Sequence, residues 1–104
     1  MKTVNEERQL LHSLMTNKIN MQRTLGKHRK EFFTTNARLF IYDCLTSLFD
    51  DKRILLNKNQ FEFEINKRFD PEKDKVKIED YKVEYDIIHK TPITDDIDII
   101  IERL

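Results

Sequence analysis

The sequence contains one glycine, two prolines, one cysteine and no tryptophan among 104 residues, and its charges cancel, with 19 Lys and Arg against 19 Asp and Glu. Each shortage excludes something. A phosphate-binding loop needs several glycines ahead of Lys-Ser or Lys-Thr, because backbone amides must approach the phosphates closely. Here only Gly26-Lys27-His28 offers itself, so no nucleotide-hydrolysing loop is expected. Tight hairpins also depend on Gly and Pro, whereas helices joined by short polar turns do not, so the scarcity favours an all-helical chain. The lone thiol of Cys44 cannot close an intrachain disulfide, and no apolar run resembles a signal peptide or a membrane span. A reducing, cytoplasmic setting without membrane contact is the expectation. The length allows one domain, residues 1–104, and leaves no room for a second core.

Charged residues make up 37% of the chain, yet twelve Ile, seven Phe and three Tyr are enough for a small core. The charges are unevenly placed. From Lys2 to Arg38 there are eight basic and three acidic residues, and from Leu39 to Leu104 eleven basic and sixteen acidic. A chain with a net of +5 in one part and −5 in the other can associate with itself or offer two different faces to partners.

Apolar spacing predicts a first helix at about 5–16, with Asn5 as its cap, Glu6 and Glu7 in the first turn, and Leu10, Leu11, Leu14 and Met15 on one face. Asn17 can cap a short second helix carrying Ile19, Met21 and Leu25, ending at Gly26. A basic loop, Lys27 to Lys30, follows. Thr34, Thr35 and Asn36 are candidate caps for a central helix with Ala37, Phe40, Ile41, Cys44, Leu45, Leu48 and Phe49 along one stripe. The expected core is Leu10, Leu14, Leu25, Phe33, Phe40, Ile41, Cys44, Leu45, Leu48 and Phe61.

Residues 58–79 read two ways. FEFEI, residues 61–65, alternates like a strand, and VKIEDYKVEY is rich in β-formers, so a β-hairpin near 60–79 in an α+β fold is the alternative. Asn57 with Gln60 at capping-box spacing, Glu64 four residues before Arg68, and basic residues just ahead of Asp70-Pro71 favour a helix. A charged loop, DPEKDK, then leads to a helix at about 77–90. Thr94 can cap a last helix at 94–104, with Asp95 and Asp96 in its first turn. The expected fold is therefore all-α, a small helical head at about 1–70 followed by a C-terminal helical hairpin at about 77–104.

Candidate chemistry is sparse. His12, His28, His89 and Cys44 lack the short spacings of a zinc site, and Cys44 lies on an apolar stripe. The pairs Asp50-Asp51 and Asp95-Asp96 sit at helix ends, where solvation and capping account for them, and neither Ser13 nor Ser47 adjoins a glycine as a nucleophile elbow requires. No catalytic, cofactor-binding or metal-binding residue is expected, and the chain by itself is not expected to be an enzyme. The basic stretch Arg23, Lys27, His28, Arg29 and Lys30 lacks interleaved aromatic residues, so direct DNA contact is expected to be weak or absent.

Three segments together resemble the N-terminal domain of DnaB-type replicative DNA helicases. ERQLLHSLMTN, Glu7 to Asn17, is similar to that family's opening helix, with His12 where a small residue is usual. EFFTTNARLFI, Glu31 to Ile41, is similar to its Asp-Phe-Tyr, then His-Arg and an apolar pair, with Arg38, Phe40 and Ile41 on the pattern and Ala37 in place of the His. KTPITDDI, Lys90 to Ile97, looks like its Asn-Thr-Pro loop, with Asp96 at the Asn position. The matches keep their order along the chain.

The resemblance implies a non-catalytic oligomerisation and docking module in DNA replication. It would form the collar of a homo-oligomer by pairing hairpins and bind primase or a helicase loader, with the motor in a separate C-terminal domain if the chain continues. A free-standing viral mimic and the similarly folded helicase-binding domain of primase are the neighbouring readings; a small DNA-binding protein is the reading from another class. The expected partner-binding residues are Tyr81, Tyr85, Ile87, Ile88, Ile97, Ile99 and Ile101. Among the apolar positions of the last two helices, Val83, Ile87 and Ile99 fall off the two main stripes and are expected to stay exposed.

Overall fold

The computed structural model describes residues 3–74 and 76–104. They form α1 (Val4–Thr16), α2 (Lys18–Arg23), a 3-10 turn (Lys30–Phe32), α3 (Asn36–Lys52), α4 (Lys58–Arg68), α5 (Ile78–Lys90) and α6 (Ile97–Arg103). The fold is all-α, and no strand occurs among the described residues.

Local chemistry places most boundaries. Asn17 Oδ1 accepts from the amides of Ile19 and Asn20 at the start of α2, Thr35 Oγ1 from Arg38 at the start of α3, and Asn57 Oδ1 from Gln60 at the start of α4. Each satisfies amide groups that a helix N-terminus leaves open. Gly26, at φ +84°, makes the turn after α2, a conformation open to glycine because it has no Cβ. Two boundaries differ from expectation. Helix α1 begins at Val4, so Asn5 lies inside it; α6 is capped by Asp96, whose Oδ1 accepts from Asp98, while Thr94 turns elsewhere.

In α4 the helical reading prevails over alternation for a visible reason. A strand would put Phe61, Phe63 and Ile65 on one face, whereas the helix buries Phe61 and Ile65, four apart, and leaves Phe63 62% exposed. The Glu64–Arg68 ion pair, 2.9 Å, spans one turn of this helix.

The hub of the fold is α1 rather than α3. It packs on α2, α3, α5 and α6, and Leu10, Leu11 and Leu14 are fully buried. Helix α3 adds Ile41, Cys44, Leu45 and Phe49 to the same core, and aromatic pairs fasten α5 to it. Phe61 stacks on Tyr85 at 4.3 Å with planes 6° apart, and Phe40 stacks on Tyr81 at 4.5 Å. Leu25, expected inside, is exposed, because the chain turns away from the core after α2; Phe40 is half-buried, covering Tyr81 from the solvent side.

The C-terminal hairpin does not form as a separate unit. Helix α5 lies on α1 and α3 and α6 lies on α1, and the two helices make no comparably extensive contact with each other. The reason is polar as well as apolar: the α5–α6 connection is bonded to α1 from both sides, as described next.

Candidate functional site

Helix α1 carries Glu7, Arg8, Gln9 and His12 at positions that an ordinary surface helix would turn to water. Here each finds a partner from a distant segment. Glu7, fully buried, accepts from the Thr34 amide (2.9 Å) and Arg38 Nε (2.8 Å) on Oε1, and from the Thr3 (3.0 Å) and Thr34 (2.8 Å) hydroxyls on Oε2. Burial by itself would raise its pKa; the hydrogen bonds from Arg38, Thr34 and Thr3 outweigh it and hold the carboxyl below its usual value.

The network continues into α5. Arg38 Nη1 lies 3.6 Å from Glu84 Oε2, and Arg8 grips Glu84 through Nε (2.7 Å) and Nη2 (2.9 Å). Two arginines and two glutamates thus alternate across α1, α3 and α5 with no net charge, and the paired geometry offsets the desolvation that four isolated ions could not bear. Farther along α1, Gln9 Oε1 accepts from the Thr94 amide (3.0 Å) and His12 Nδ1 donates to the Thr91 carbonyl (2.8 Å). These bonds tie the α5–α6 connection to α1.

The unequal charge of the two parts of the chain is used inside the fold. Arg8 and Arg38 meet Glu84, and at the surface Arg23 meets Asp98 of α6 and its cap, Asp96. The basic stretch is thereby divided: Arg23 serves as a tether for α6, while Lys27, Arg29 and Lys30 remain at the surface, Arg29 over the Phe32 ring. Cys44 is fully buried, and burial pushes its thiol up to about 12, so it is a core residue rather than a nucleophile. Among the described residues no group of three or more His, Cys, Asp or Glu side chains could hold a metal ion, and no helix is long and apolar enough to cross a membrane.

The expected partner-binding residues separate into three groups. Tyr81, Tyr85, Ile88 and Ile97 are buried in the core and cannot meet a partner; their stripes face α1, α3 and α4 instead. Ile101 is half-buried against the same core. Ile87 and Ile99 are exposed, as is Val83, at 37%, 43% and 54%. The outer face of α5 therefore carries Val83 and Ile87, four residues apart, with Glu79 and Asp80 toward its start and His89 and Lys90 at its end.

The buried network is not legible in the sequence. There Glu7 reads as a first-turn anion and Arg38 as a motif position, and Glu84 carries no signal. A carboxylate between apolar stripes, at the helix position where Leu10, Leu11 and Leu14 continue, is the only local signal of burial. The segments Glu7–Asn17, Glu31–Ile41 and Lys90–Ile97 thus meet one another, Glu7 with Thr34 and Arg38, and Gln9 and His12 with Thr94 and Thr91. Their polar residues hold the fold together instead of facing outward. No family model, curated protein or solved structure matches this chain.

Proposed function

We propose that the chain is a non-catalytic docking module that pairs with a second copy of itself through the outer face of α5. The observation that carries the reading is the exposed Val83–Ile87 pair on a helix whose opposite face is fully committed to the core. The flanking charges fit a two-fold, antiparallel pairing centred near residue 85. Val83 of one copy then meets Ile87 of the other, and Asp80 meets Lys90 at both ends. Such a contact is self-complementary, as a two-fold interface must be. A single helix face is small, so the pairing belongs to the weak, transient class of interfaces.

The finer reading is a collar module of a DnaB-type replicative helicase in the bacterial cytoplasm, either of bacterial or of viral origin, that also binds primase or a helicase loader. It rests on the three sequence matches, and on their polar residues converging at one helix. A free-standing mimic of that module would use the same surface.

Sedimentation velocity over a rising concentration series tests the pairing. Val83→Asp with Ile87→Asp should hold the chain monomeric while it stays folded and helical, with only a modest fall in thermal midpoint, since neither residue is part of the buried core. Asp80→Lys should weaken association, and adding Lys90→Asp should restore it. A wild-type chain that stays monomeric throughout, or a double Asp variant that associates as before, rejects the proposal.

A further inference from the structure

His12 and His89, far apart in the sequence, meet where the end of α5 passes α1. Their ring centroids lie 5.6 Å apart with planes inclined by 62°. Two imidazoles bound to one tetrahedral ion put their centroids about 5–6 Å apart, given metal–nitrogen bonds of about 2.0–2.1 Å. The spacing alone would be coincidence without suitable donors.

The donors are suitable for separate reasons. A carbonyl can only accept, so the 2.8 Å bond between His12 Nδ1 and the Thr91 oxygen places the proton on Nδ1 and leaves Nε2 with a free lone pair. A ring oriented through its other nitrogen by a backbone carbonyl is the usual condition of a metal-ligating histidine. His89 is exposed at the C-terminal end of α5, with its ring 4.6 Å from that of Tyr85.

We propose that His12 and His89 form a two-histidine site for a borderline divalent transition-metal ion, Zn2+ or Cu2+, with solvent completing the coordination. Two imidazoles and no carboxylate select against Mg2+ and Ca2+, which require oxygen donors. With only two protein ligands the binding is weaker than at a four-ligand structural zinc site. The ion bridges α1 and the end of α5, so it binds the folded chain in preference to the unfolded one and raises its stability by mass action. The proposal does not depend on the pairing of α5.

The full chain is titrated with Zn2+ alone and with Cu2+ alone. Zn2+ should raise the thermal midpoint of the wild type, Mg2+ and Ca2+ should not, and the Zn2+ shift should vanish in His89→Ala, which alters an exposed side chain and leaves the fold intact. At substoichiometric Cu2+, paramagnetic broadening should fall first on the ring resonances of His12 and His89 and spare His28. His12→Gln should also abolish the Zn2+ shift, and if that variant does not fold, His89→Ala and the broadening pattern decide. A Zn2+ shift that survives His89→Ala, broadening that is equal at all three histidines or centred on the N-terminus, or no Zn2+ shift at all overturns the proposal.

Discussion

Replacing Glu7 by Gln removes one charge from the buried network while preserving shape, and the structure sets the size of the effect. The carboxylate accepts four hydrogen bonds, one of them from a guanidinium. An amide in the same place keeps an oxygen on the Thr34 amide and Arg38 Nε and can donate from its nitrogen to the two hydroxyls, so the change removes the charge itself, leaving the Arg38 guanidinium buried with Thr34 and a 3.6 Å contact to Glu84. Removing one partner of a buried pair costs about 3–5 kcal/mol. At about 4–8 °C per kcal/mol for a domain of this length, the thermal midpoint should fall by at least about 12 °C. Urea unfolding at neutral pH, followed by helical circular dichroism, measures the loss. Arg38→Met should cost about as much. The Glu7→Leu/Arg38→Met double variant should lose about 1–3 kcal/mol less than the sum of its two single substitutions, because no unpaired ion remains from that pair. High salt should leave the loss unchanged, because the pair is out of reach of screening ions. A Glu7→Gln loss under about 1 kcal/mol, the range of exposed pairs, would refute the account of α1 as a helix held by buried charge.

Tyr85 has a fully buried hydroxyl without a hydrogen-bond partner among the described residues, so Tyr85→Phe should leave stability unchanged or raise it by about 1 kcal/mol in the same urea assay, with the Phe61 stack retained. Phe49, 1% exposed, should cost about 3–5 kcal/mol as Phe49→Ala, and the half-buried Phe40 distinctly less, which reverses the ranking if Phe40 were a core residue. Stability should fall with acid in two steps that urea midpoints across the pH range resolve. Burial lowers the pKa values of His28 and His89, so the unfolded chain takes up those protons first and stability begins to fall below pH 6.5, the ordinary value. Glu7 has a lowered carboxyl pKa, so its contribution is complete above 4.5 and is lost as pH falls through the folded value. His28→Gln should reduce the upper step, the remainder belonging to His89, and leave the lower one in place.

What the sequence determined by itself was local and periodic. Asn17, Thr35 and Asn57 start helices because their side chains reach amides two or three residues on, a fact independent of the rest of the chain. The stripe from Ile41 to Phe49 likewise makes α3 helical, whereas for α4 the Asn57 cap and the Glu64–Arg68 spacing favour a helix over the alternation of residues 61–65 without deciding it. The tertiary structure alone decided which polar residues go inside. Whether Glu7 is a solvated first-turn anion or the buried centre of a network depends on Thr34, Arg38 and Glu84 arriving from elsewhere, and no periodicity encodes that meeting. The same holds for the two faces of α5. Tyr81, Tyr85 and Ile88 form a stripe that sequence can draw but cannot assign to core or partner, and it became core once α1, α3 and Phe61 closed over it, leaving Val83 and Ile87 outside. His12 and His89 meet for that reason too: once α5 lies on α1, the bond from His12 to Thr91 brings their rings together, a proximity set by packing and invisible in the spacing of the two residues.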